Sequence, residues 1–107
     1  MTKVITVNTI GLTDAEMLKL VSVLSSQPNI EKSIVYGARA KGTNKKFFDV
    51  VMTLVGSRLT RHDLNHAVMF IDDILLPYEF DLSLYSSLKN EILLEHIDRV
   101  GKLIYKA

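Results

Sequence analysis

A chain of 107 residues with 48% hydrophobic content holds one core, and domains of this size bury roughly 60–70% of their unfolded surface without needing staples. It has no cysteine, which excludes disulfides and thiolate metal sites and points to the cytoplasm, and no apolar run approaches the ~20 residues of a membrane span. With 13 basic against 12 acidic residues the formal charge is +1, so no global field draws nucleic acid, and no nucleic-acid or membrane role is expected.

The chain reads as one domain over 1–107. Met1 to Asn8 lacks the apolar core and small-residue cleavage site of a secretion signal, and residues 1–10 are an edge strand or, preferably, a loose tail. Leu12 to Met17 carries a capping box, Thr13 with Glu16, and a staple of Leu12 on Met17. Met17, Val21 and Leu24 continue at helical spacing until Pro28 stops the helix. Ser33 to Tyr36 is a short buried strand that runs directly into Gly37. Residues 37–47 are glycine-bounded and basic, as a turn or single helical turn would be. Phe48 to Val55 is a second strand, apolar on both faces except for Asp49 and Thr53.

After Gly56-Ser57-Arg58, Thr60 and Asp63 open another helix in capping-box fashion. Leu64, Ala67, Ile71, Ile74 and Leu75 form its apolar stripe, and Pro77 ends it. Phe80 to Leu84 alternates apolar and polar as a third strand. A last helix is predicted from about Ser87 to Tyr105, with Leu93, Ile97, Val100 and Ile104 on its buried side. The fold class is therefore α+β: a small, mixed, twisted sheet packed against helices.

The chemistry-bearing residues gather around Gly37. A strand ending in glycine and turning toward a helix offers backbone N–H groups to phosphate oxygens, and Arg39 and Lys41 add cationic partners. Residues 49 and 51 lie on one face of a strand, about 6.5–7 Å apart, so that Asp49 faces the same way as Val51. Asp81, on the polar face of the third strand, supplies a second carboxylate if that strand neighbours the second. His62 and His66, four apart on a helix, and the pair Asp72-Asp73 are read as solvated helix positions, as are Lys45-Lys46 in their loop. His96 and Arg99 are read as surface residues of the last helix.

Taken in order, Gly37-Ala38-Arg39-Ala40-Lys41-Gly42, Asp49-Val50-Val51, Leu76-Pro77 and Phe80-Asp81-Leu82 resemble the minimal nucleotidyltransferase domains of the DNA polymerase β-like superfamily. The ending from Leu94 to Gly101 with Ile104-Tyr105 is similar to the small prokaryotic branch, and the resemblance spans roughly residues 12–106. The family pattern is Gly-Ser, ten residues, then Asp-x-Asp. This chain keeps the gap but has Ala38 in place of the serine and Val51 in place of the second aspartate. Phe48 also replaces a small polar residue before Asp49.

The resemblance implies a nucleotidyltransferase-like fold, ATP or another NTP as substrate and Mg²⁺ as cofactor. It assigns Gly37, Ala38, Arg39 and Lys41 to nucleotide binding, and Asp49 and Asp81 to metal binding and catalysis. It further implies a small all-helical HEPN or substrate-binding partner, often in a toxin–antitoxin pair, and leaves homo-oligomerisation open. Loss of a shared metal ligand costs on the order of 10³-fold in rate, so weak or lost transfer with antitoxin-like binding is the expected function. The alternatives are an active Mg-dependent enzyme moving NMP to a protein partner, with Glu79 as substitute carboxylate, and a structural subunit that binds no nucleotide.

Overall fold

The computed structural model describes residues 10–37 and 50–107. Its first helix, α1 (Asp14–Ser25), starts where local chemistry says it should: the Thr13 hydroxyl accepts from the Glu16 N–H and the Glu16 carboxylate accepts from the Thr13 N–H. That reciprocal pair satisfies two donors a helix start leaves open. Leu12 and Met17 are both buried, with Leu20, Val21 and Leu24 continuing the apolar face. Strand β1 (Lys32–Tyr36) follows and leads into Gly37 at φ +81°. Strand β2 (Val50–Val55) resumes beyond the undescribed stretch; Phe48 and Asp49, expected to begin it, lie outside the described residues.

Helix α2 (Arg61–Asp73) has the second capping box, between Thr60 and Asp63, and buries Leu64, Ala67 and Ile71. Leu75, which the periodicity places on this stripe, does not belong to it. The helix stops at Asp73, and Leu75 takes a left-handed conformation (φ +54°) with 87% of its surface exposed. Pro77 is the physical reason, because the residue before a proline is driven out of the helical region and the chain reverses ahead of it. Strand β3 (Phe80–Leu84) and a 3₁₀ turn (Tyr85–Ser87) come next.

The predicted long terminal helix is two elements. Helix α3 spans only Glu91–Val100, capped by the Asn90 side chain, and after Gly101 the chain forms strand β4 (Lys102–Lys106). Ile104 is buried as predicted, but as a strand residue at the sheet's edge.

The four strands form one mixed sheet in the order β3-β2-β1-β4. Strand β1 is antiparallel to both β2 and β4, while β2 and β3 are parallel. Val35, Val50, Met52, Leu54, Leu84 and Ile104 point to one side, where they close the main core with α1 and α2. Strand alternation turns Ile34, Tyr36, Val51 and Asp81 to the opposite side. There α3 crosses the sheet: the Cα of Gly101 sits against the Ile34 side chain, and His96 packs on Tyr36. Among the described residues, no helix is long and apolar enough to cross a membrane.

Two carboxylates at the surface are tied to neighbouring donors. Hydrogen bonds from the Thr60 N–H, and next from the Asn29 amide, hold the Asp63 carboxyl below its ordinary range, and Ser57 does the same for Glu31 through its N–H and then its hydroxyl. Carboxylates lowered in the folded state stabilise it fully above their unfolded pKa, and that contribution fades as pH falls through the folded value. We expect the urea midpoint to decline below about pH 4, with a smaller decline in Asp63→Asn than in the native chain. Equal slopes in the two chains would show that the cap carries no charge-dependent stability.

Candidate functional site

At the end of β1 and the starts of β2 and β3, three side chains line up across the sheet on the face opposite the main core. Tyr36 pairs with Val51 in the antiparallel ladder, and Val51 pairs with Asp81 in the parallel one. With strands ~4.8 Å apart, Tyr36 and Asp81 stand about 10 Å from each other with Val51 between them. The adjacency of β2 and β3, on which the role of Asp81 depends, is thus present. Its register sets Asp81 directly beside Val51.

Asp81 is exposed and, among the described residues, has no hydrogen-bond or ion-pair partner. The Val50 N–H donates to the Glu79 carbonyl at 2.8 Å, and the Tyr78 hydroxyl donates to the Glu16 carboxylate at 3.0 Å. These two bonds fix how β3 enters the sheet and hence where Asp81 stands. Glu79, two residues earlier, is also exposed. Val51 is half-buried and apolar, so the row offers one carboxylate where a metal pair needs a shared second. The described residues accordingly do not fit a two-cation site, and among them no cluster of three or more metal-ligating side chains exists.

Gly37 closes the row at the tip of β1. A Cβ there would meet nothing within 4 Å among the described residues, and the backbone twist is what calls for glycine. Its N–H donates to His96 Nε2 at 3.3 Å, and the His96 ring lies edge-on to Tyr36 with centroids 6.3 Å apart. His96 is therefore half-buried and belongs to the site, which corrects its reading as a surface residue; only Arg99 is on the surface, paired with Glu95 at 2.9 Å. No local signal marks His96, because its partner is 59 residues away. Ala38, Arg39, Lys41 and Asp49 lie outside the described residues, as do Lys45 and Lys46. His62 and His66 face each other on α2 with ring centroids 4.2 Å apart, His62 exposed and His66 half-buried.

Comparison with known proteins accords with this geometry. Three chains from solved toxin–antitoxin structures share the fold. One comes from a toxin–antitoxin complex with AMP-PNP, at a TM-score of 0.68 and 16% identity over 85% of this chain and 73% of that one. Another comes from the tri-AMPylated Shewanella oneidensis HEPN toxin in complex with MNT antitoxin, at 0.65 and 13% over 90% and 74%. The third comes from the toxin–antitoxin MntA–HepT, at 0.64 and 13% over 89% and 74%. No curated protein sequence matches the chain. The family model "Polymerase beta, Nucleotidyltransferase" matches residues 18–107, which takes in both strands that bear the Val51–Asp81 pair, and the chain belongs to that family.

Proposed function

We propose that this is a minimal nucleotidyltransferase-type domain that keeps a phosphate-binding turn but has weak or no transferase activity, and that it acts by binding a small, all-helical HEPN-type partner in the cytoplasm, as an antitoxin does. The observation that carries the reading is Val51 seated beside Asp81. The strand frame for holding cations is retained, and the ligand both cations would share is an apolar side chain. Mg²⁺, if held at all, would rest on Asp81 and Asp49, and ATP or another NTP would place its phosphates at Gly37 and Ala38 with Arg39 and Lys41 nearby. Binding a partner needs none of the missing chemistry, whereas in-line transfer needs the charge of the leaving pyrophosphate neutralised. The whole of 1–107 works as one domain in this reading. The similar folds found in toxin–antitoxin complexes, one with a HEPN toxin and one with AMP-PNP, support both the partner class and the ligand class.

A second reading, an active Mg-dependent transferase that moves NMP onto its partner, is favoured by the exposure of Glu79 two residues before Asp81 on the same strand path. Calorimetric titration with Mg-ATP and incubation of the chain with labelled ATP and a HEPN-type partner separate the two. We expect weak nucleotide binding, a stable complex with the partner and no label on it. Label transferred at many turnovers establishes the second reading, and no partner complex at all removes the antitoxin role.

A further inference from the structure

The donor at the tip of β1 is already in use. Gly37 directly follows β1 and sits at φ +81°, and its N–H donates to His96 Nε2 at 3.3 Å. An imidazole that accepts through Nε2 is neutral and carries its proton on Nδ1. The ring is held in place by its half-burial and by its edge-on packing against Tyr36, with planes at 78°. A phosphate oxygen arriving at this turn would want the same N–H. Ligand and ring therefore compete for one donor.

Protonation resolves the competition. A protonated imidazole has no lone pair for the Gly37 N–H and presents a second N–H donor with a positive charge. We propose that His96 is the positioning residue of the Gly37 turn: neutral, it holds the Gly37 N–H back, and protonated, it yields that N–H to a nucleotide phosphate and stays beside it as a cation. This rests on the reading of the turn as a nucleotide-phosphate site. Among the described residues, one titratable group touches the ring and others lie on the neighbouring elements. Tyr36 contacts it from β1, while Lys102 on β4 and Asp81 on β3 are the charged residues at the ends of the strands on either side. On α3 itself Glu95 and Arg99 are occupied with each other at 2.9 Å, so among the described residues no ion pair is formed with the ring.

The test follows the Gly37 amide by NMR in the full chain, in His96→Phe and in His96→Gln, with and without Mg-AMP-PNP between pH 5.5 and 8. Phenylalanine keeps the ring and loses the acceptor; glutamine keeps an acceptor that cannot become charged. Without nucleotide, the Gly37 amide resonance should titrate together with the His96 ring resonances in the native chain and stay still in both variants. With Mg-AMP-PNP, native affinity relative to His96→Phe should rise about tenfold from pH 8 to pH 5.5, the size expected for gaining one charge-assisted hydrogen bond. His96→Gln should bind most weakly at low pH and show no such rise. The ligand's own proton equilibria are common to all three chains and cancel in the ratios. Parallel affinity curves in the native chain and His96→Phe, or an unliganded Gly37 amide that ignores His96, overturn the inference while leaving the nucleotide site intact. If the unliganded amide tracks His96 but Mg-AMP-PNP moves no resonance near Gly37 in any chain, the nucleotide reading itself fails and the phosphate role of His96 goes with it.

Discussion

Replacing Val51 with aspartate will make the stability of this chain depend on Mg²⁺, which the native chain's should not. Position 51 is directly across from Asp81 on the neighbouring parallel strand. Without metal, Val51→Asp places two carboxylates about 5 Å apart. Like charges so placed destabilise by roughly 0.2–1 kcal/mol, and trimming the half-buried valine removes about another 1 kcal/mol of apolar burial. The melting temperature in EDTA should therefore fall by about 5–10 °C. A divalent cation reverses the sign, because the repulsion between the two carboxylates becomes a shared pair of ligands. At a Mg²⁺ concentration 100 times its Kd, binding returns about 2.7 kcal/mol, enough to cancel the loss. Thermal unfolding of the native chain and Val51→Asp, each in EDTA and in millimolar Mg²⁺, measures this directly. The double variant Ala38→Ser/Val51→Asp should then bind Mg-ATP clearly more tightly than the native chain in calorimetry. A Val51→Asp chain whose melting is indifferent to Mg²⁺ would mean that these carboxylates do not converge on a cation, and the metal half of the proposed site would be lost.

That experiment depends on a register no sequence reading supplies. The two helix starts, Thr13 with Glu16 and Thr60 with Asp63, are legible because a capping box is local: donor and acceptor are three residues apart. Strand β3 is legible for the same reason, since alternation from Phe80 to Leu84 needs no partner to be recognised. Whether Asp81 neighbours Val51 depends on a parallel pairing between strands separated by the whole of α2, and periodicity is silent on it. Strand β4 fails for a different reason. Ile97, Val100 and Ile104 keep helical spacing across Gly101, so two elements imitate one amphipathic helix. The available signal was Gly101 itself, followed by a lysine-bounded, apolar Leu103-Ile104-Tyr105 run short enough for an edge strand. His96 was beyond reach, because its role is created by tertiary contact with Gly37 and Tyr36.

Gly101→Ala should be among the most damaging conservative changes in the described structure, and the reason differs from that at Gly37. The backbone of Gly101 is ordinary (φ −60°, ψ 143°), so its glycine has no torsional purpose. Space is the constraint: a Cβ there would lie 2.4 Å from the Ile97 carbonyl oxygen and 2.7 Å from Ile34 Cγ2. The first of these is backbone, already accepting the Gly101 N–H at 2.8 Å, and it cannot rotate away. Alanine must therefore lift the end of α3 from β1, at the upper end of the 1–3 kcal/mol typical of overpacking, with a fall in melting temperature of more than about 10 °C. Gly37→Ala, by contrast, meets no described residue within 4 Å and suffers the left-handed backbone penalty of about 1–2 kcal/mol. Adding Ile34→Ala to Gly101→Ala removes the side-chain overlap but leaves the carbonyl one, so the double variant should recover part of the loss expected from summing the singles. Thermal melts of the native chain, Gly101→Ala, Ile34→Ala and the double variant measure the coupling, with Gly37→Ala melted beside them. Because α3 carries His96, Gly101→Ala should also shift the Gly37 amide resonance, whereas a Gly101→Ala chain as stable as Gly37→Ala would show that α3 is not clamped to the sheet at this point.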